Sequence, residues 1–114
     1  MRYYTITGLS TIMSEQLYTF LTTQAPQFHH AGKLFVPNID WVRRKNPAGE
    51  TTREWSLNFL PMNVLRKEDL FACESLTIHI DKQYRERLQG KMLDVKNRRL
   101  RVRDIGQNRM NAGV

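Results

Sequence analysis

A chain of 114 residues with 40% hydrophobic side chains can bury one real core and is too short for two domains of ordinary size. No apolar run is long enough to span a bilayer, and the N-terminus lacks a signal-peptide pattern. A lone cysteine, Cys73, excludes an internal disulfide and fits a reducing, cytoplasmic setting. The formal charge of +7 is unevenly placed. Ten Lys and Arg from Lys82 onward face only Glu86, Asp94 and Asp104, a net of +7, whereas the preceding 81 residues hold eight basic and eight acidic residues and balance to zero. A polyanion is the simplest partner for such asymmetry, with nucleic acid ahead of an anionic membrane surface.

Arg2 to Thr7 is a β-rich run stopped by Gly8. Leu9, Ile12, Met13, Leu17, Phe20 and Leu21 follow helical spacing and predict one helix, capped by Ser10 or Ser14. It should end near Gln24, because Pro26 disfavours helical geometry at Ala25. Gln27 to Gly32 reads as a loop carrying Phe28, His29 and His30. Neighbouring side chains of an extended segment point opposite ways, so this His pair is poorly arranged to share an ion. With His79 the only other histidine, no metal-ligand spacing emerges, and no metal or cofactor is expected.

Leu34 to Lys45 and Thr51 to Leu60 predict a hairpin joined by the turn cluster Asn46 to Glu50. A five-residue loop sets Trp55 opposite Trp41, Leu57 opposite Ile39, and Arg43 opposite Arg53 near the tip. Two tryptophans flanked by arginines suit base stacking, although indoles alternating with Ile and Leu more simply belong to a core. Pro37 suggests an edge strand or a break. Pro61 to Ala72 shows no clean period; it reads as a strand end, the charged turn Arg66 to Asp69, and entry to another strand. Leu76, Ile78 and Ile80 alternate as a strand that turns His79 outward. Lys82 to Gln89 fits one or two helical turns capped by Asp81 and closed by Gly90.

Lys91 to Ile105 carries the charge. Folding back at Asn97-Arg98 pairs Val95 with Leu100 and Leu93 with Val102, so both apolar pairs share one face. The other face presents Arg99, Arg101 and Arg103 about 6.7 Å apart, at two strand residues per step. Guanidiniums so spaced suit bidentate phosphate contacts. Asp94 opposes Arg101 in this register and is expected to neutralise it. The turn is imperfect, because Asn97 accepts positive φ and Arg98 does so poorly, which leaves room for a longer loop.

Together these elements predict an α+β domain over 1–105, with a mobile tail at 106–114. The sheet is expected to be mostly antiparallel, either an OB-like, partly open barrel or a split α/β sandwich, with one N-terminal helix and one short C-terminal helix. The functional expectation is a small, non-catalytic protein that binds single-stranded DNA or RNA. Arg98, Arg99, Arg101 and Arg103 would meet phosphates, helped by Lys91, Lys96, Arg85, Arg87, Arg43 and Arg53, while Tyr84, Trp41 or Tyr4 would stack on bases. Compact basic chains of this kind also fit a mobile genetic element. Two other classes stand beside this reading. One is a toxin-type endoribonuclease drawing on His29, His30, His79 or Glu74; the other is an interaction or inhibitor module, homo-oligomeric or meeting an acidic protein.

Overall fold

Ser14 marks the place where the N-terminal chain changes from strand to helix. In the computed structural model, which describes residues 2–24, 29–30 and 33–105, strand β1 (Tyr3–Thr5) is followed by strand β2 (Ile12–Ser14) and helix α1 (Glu15–Gln24). The Ser14 hydroxyl accepts the Leu17 N–H at 3.1 Å, the N-cap bond that starts a helix. The helix is thus shorter than its apolar spacing predicts. Ile12 and Met13 are strand residues because β2 finds partners on both sides, β1 antiparallel and the later strand at Met92–Leu93 parallel. Ladder pairing outweighs a local helical period. Helix α1 is helical through Gln24, and the expected stop before Pro26 lies outside the described residues.

Strand β3 (His29–His30) pairs with the start of β4 (Lys33–Lys45), so the histidine stretch is not wholly loop. The remainder of that predicted loop, and the 106–114 tail, lie outside the described residues. Strand β4 forms a long hairpin with β5 (Thr51–Pro61) in the predicted register, with Trp41 opposite Trp55 and Arg43 opposite Arg53. Two 3-10 turns, Met62–Val64 and Lys67–Asp69, lead to β6 (Leu70–Cys73) and β7 (Leu76–Ile80). Helix α2 (Lys82–Arg85) is capped by the Asp81 carboxylate, which accepts the Gln83 N–H at 3.0 Å. Strands β8 (Lys91–Lys96) and β9 (Arg99–Asp104) complete the chain.

These strands form two sheets. One has the order β1-β2-β8-β9; the other is built on β4, with β5 along one edge and β3, β7 and then β6 on the other. Most pairings are antiparallel, but each sheet is tied together by one parallel pairing, β2 with β8 and β4 with β7. No barrel closes, and the arrangement is an α+β split sandwich rather than an OB-like one. Pro37 sits inside β4, not on an edge strand. It falls between the residues paired with β3 (Lys33, Leu34) and those paired with β7 (Asn38, Ile39), so on that edge its missing N–H leaves no ladder bond unmade.

A single core joins the two sheets and α1. Met13 and Leu93 from the first sheet meet Ile39, Ile78 and Ile80 from the second, and α1 adds Leu17 and Leu21. Phe20, Leu57 and Phe59 pack against it while only half-buried. The Tyr18 hydroxyl shares a 2.7 Å hydrogen bond with Ser75, fastening α1 to the β6–β7 turn.

Two substitutions test this account. Ile78 is fully buried, and Ile78→Ala should cost about 2–5 kcal/mol in denaturant unfolding. Phe20→Ala should cost less, because its ring already meets solvent. Ser14→Ala removes the helix cap, worth about 1 kcal/mol, and also a donor to buried Asp94, worth roughly 1–3 kcal/mol more. A loss no larger than that of an ordinary cap would show that the Asp94 contact contributes nothing.

Candidate nucleic-acid interface

The two hairpins become one surface because their outer edges meet. Among the described residues β9 pairs only with β8, and β5 only with β4, so each leaves an open edge. Cα atoms of β5 and β9 approach within 8 Å. Between them lies a groove of about 340 Å³, walled by residues 54–57 and Arg44 on one side and 98–100 on the other. Trp55, Leu57 and Leu100 supply apolar surface; Arg44, Arg98 and Arg99 supply positive charge.

The β8–β9 register is the predicted one, with Val95 opposite Leu100 and Leu93 opposite Val102. The turn needs only two residues, and both take positive φ, 53° at Asn97 and 64° at Arg98. That is the type I′ geometry whose twist matches a hairpin. Asn tolerates it, whereas an Arg there carries a cost of about 1–2 kcal/mol. No longer loop forms, and a guanidinium stands at the tip in a conformation that favours glycine.

Asp94 decides which arginines are available. It is only 6% exposed, because Ser14 Oγ donates to its Oδ1 at 2.6 Å and the Val95 N–H does so at 2.8 Å. Its Oδ2 lies 3.8 Å from Arg103, not beside its cross-strand partner Arg101. The expected neutralisation therefore falls on Arg103: held from below by Ser14, the carboxylate addresses the arginine nearer the β2 side. Lys91 pairs with Asp104 at 3.8 Å. Arg98, Arg99, Arg101 and Lys96 are exposed and make no ion pair among the described residues.

Arg85 is engaged internally. It is ion-paired to Asp69, donates to the Glu68 carbonyl at 2.8 Å, and lies 4.8 Å from the Phe71 ring centre. Arg87 covers the Trp41 ring at 5.6 Å. Arg43 and Arg53 are exposed at the β4–β5 tip, where Arg44 is ion-paired with Glu54. Among the candidate stackers, Tyr4 lies parallel to Tyr18 with centroids 4.2 Å apart. Trp41 packs between Arg87 and Trp55, its indole N–H buried without a partner among the described residues. Tyr84 sits edge-on to Trp55 and hydrogen-bonds Asp40. Burial raises the Tyr84 phenol above its ordinary value, reinforced by Asp40 and Asp81 and opposed by Arg53. Trp55 is half-buried against the core, yet it borders the open groove.

Sequence reasoning thus missed Arg44, Glu54, Trp55 and Ser56 as groove residues. The cross-strand register placed Trp55 beside Trp41, but no local pattern shows that β5 lies against β9.

The acid–base candidates come from different elements of the second sheet. His79 is 7% exposed rather than outward, with Nδ1 donating to Asn38 Oδ1 at 2.7 Å and Nε2 4.0 Å from Asp69. That face of β7 is not solvent-facing because it lies beside buried Asn38 and Asp69. Glu74 is exposed in the β6–β7 turn, and the backbone of His29 and His30 pairs at the start of β4. Among the described residues, no group of three or more His, Cys, Asp or Glu is placed to hold a metal ion, and no helix is long and apolar enough to cross a membrane. No family model, curated protein or solved structure matches the chain.

Cys73 is fully buried, and burial, aided by Glu74, pushes its thiol up to about 11. It should stay unreactive toward a thiol reagent at pH 8 until the protein unfolds, so the labelling rate should track denaturant concentration. Because the folded value is raised, this group's stabilisation is complete below the ordinary 9.0 and is lost as pH climbs toward about 11. Rapid labelling of the native protein at pH 8 would contradict this.

Proposed function

We propose that this protein binds single-stranded nucleic acid without altering it, through phosphate contacts from the β8–β9 hairpin. The observation that carries the reading is the groove that brings Arg98 and Arg99 of one sheet against Arg44 and Trp55 of the other. Two separate hairpins thereby offer one cationic surface with an aromatic side chain in it, the combination that tracks an unpaired strand. Arg98, Arg99 and Arg101 are its phosphate contacts, extended by Lys96, Arg43 and Arg53. Lys91, Arg85, Arg87 and Arg103, already engaged with other groups, are secondary.

An unpaired strand fits better than duplex. Helix α1 shows Glu15, Gln16, Thr19 and Thr23 to solvent and carries no basic residue, and α2 has only four residues, so neither suits a major groove. The strain at Arg98 supports the same reading. A turn that would relax with glycine carries a cation instead, and such outliers gather where a ligand is held.

Fluorescence anisotropy of labelled single-stranded DNA, single-stranded RNA and duplex across a salt series tests this. Affinity should fall with salt, and Arg99→Gln with Arg101→Gln should lower the slope magnitude by about 1.4, at roughly 0.7 per contact on a single strand. Arg103→Gln should change it less, since Asp94 already holds that side chain. An unchanged slope in the folded double variant would return the hairpin to a merely solvated face. Arg98→Gly should weaken binding while raising stability by about 1 kcal/mol, because it relieves the left-handed arginine.

A further inference from the structure

We infer that the groove between β5 and β9 is a subsite for one unpaired nucleotide, its base against Trp55 and its phosphate at Arg98 and Arg99. This rests on the nucleic-acid reading above and adds what the phosphate row alone does not require, a place for a base. Three features of the groove carry it.

Its size comes first. A volume of about 340 Å³ lies at the lower end of small-molecule sites, roughly 300–1,000 Å³, and suits a single ring system with its sugar. Its distribution of chemistry comes second. Trp55 and Leu57 on one wall and Leu100 on the other give apolar surface on which a flat ring can rest, while Arg98 and Arg99 stand across the groove from Trp55. An aromatic wall facing two guanidiniums matches a nucleotide, which has a π-face at one end and a phosphate at the other. Between them, the Arg44–Glu54 pair and the Ser56 hydroxyl place donors and acceptors beside each other along one wall. That combination answers the mixed donor and acceptor edge of an unpaired base.

The third feature is the width of the cleft. An acidic peptide added as a strand between two open edges needs two strand spacings, about 9.6 Å. Cα atoms of β5 and β9 already stand within 8 Å, too close to admit an intervening strand along that approach. A base enters edgewise and needs no such separation. Trp55 packs against Trp41 and Tyr84 and is the aromatic side chain that lines the groove.

The decisive comparison uses the unaltered protein. Twelve-residue single strands, one set with bases and one abasic but of equal charge, would be measured by competition anisotropy, in parallel as DNA and as RNA. The base-bearing strand should bind about 5- to 150-fold tighter, the range for stacking one base. The same strand carrying 5-iodouracil should photo-crosslink within residues 54–57, with Trp55 the expected site. Equal, salt-dependent binding of intact and abasic strands would overturn the subsite and leave the phosphate reading standing. A crosslink at Trp41, Tyr4 or Tyr84 would likewise overturn it. Failure of every strand to bind, with an acidic peptide binding instead, would remove both. Glu54→Ala with Arg44→Ala, two exposed positions, should reduce the advantage of base-bearing strands over abasic ones; an unchanged advantage would remove these side chains from the subsite.

Discussion

Asp94 is the constraint around which the basic half of this protein is arranged. It is a carboxylate with almost no exposure to water, and its partners are the Ser14 hydroxyl, the Val95 N–H and Arg103. A buried anion is tolerated only when such partners are present. The consequences run in two directions. Through Ser14, the carboxylate fastens β8 to the residue that caps α1, so the first helix and the parallel β2–β8 pairing are secured at one point. Through Arg103, it engages one cation of β9, while Arg99 and Arg101 make no ion pair among the described residues.

Charge elsewhere is divided in the same way. Asp69 collects Arg85 and lies near His79, whose ring is bonded to Asn38, which in turn bonds Asn58. That chain crosses β7, β4 and β5, and it uses a histidine and an arginine that an isolated sequence offers equally to catalysis or to RNA. In a low-dielectric setting such groups serve best when each has its partner, and here they stitch one sheet together. The cations left over collect at the two hairpin tips. The C-terminal surface is basic because ten Lys and Arg from Lys82 onward face three acids, one of which, Asp94, is buried.

The groove follows from an ordinary difficulty of β structure. Strands β5 and β9 both end their sheets, and an exposed edge is an invitation to unwanted pairing. Setting one edge beside the other shields both and leaves a cleft too narrow for a further strand along their approach. Arg44, Arg98 and Arg99 at its rim add the charged side chains that usually discourage edge-to-edge association. Protection of the edges and the positive charge of the groove are then supplied by the same residues.

Much of this was legible in the residues themselves. Period-2 alternation in Trp55, Leu57 and Phe59, with a five-residue turn, specified the β4–β5 register; Leu93, Val95, Leu100 and Val102 did so for β8–β9; Asp81 and Gly90 bracketed the helical turns, α2 and the 3-10 turn Glu86–Leu88 that follows it. Each depends on side-chain period or turn chemistry within a dozen or so residues. Tertiary structure alone decided that Ile12 and Met13 form a strand, that His79 is buried, that Asp94 takes Arg103 and not Arg101, and that Trp55 meets Arg98 across a groove. Those outcomes depend on partners far away in the chain, as in the Ser14–Asp94 bond spanning 80 residues. A local pattern fixes which face a side chain takes within its own strand, but not what the rest of the chain lays against that face.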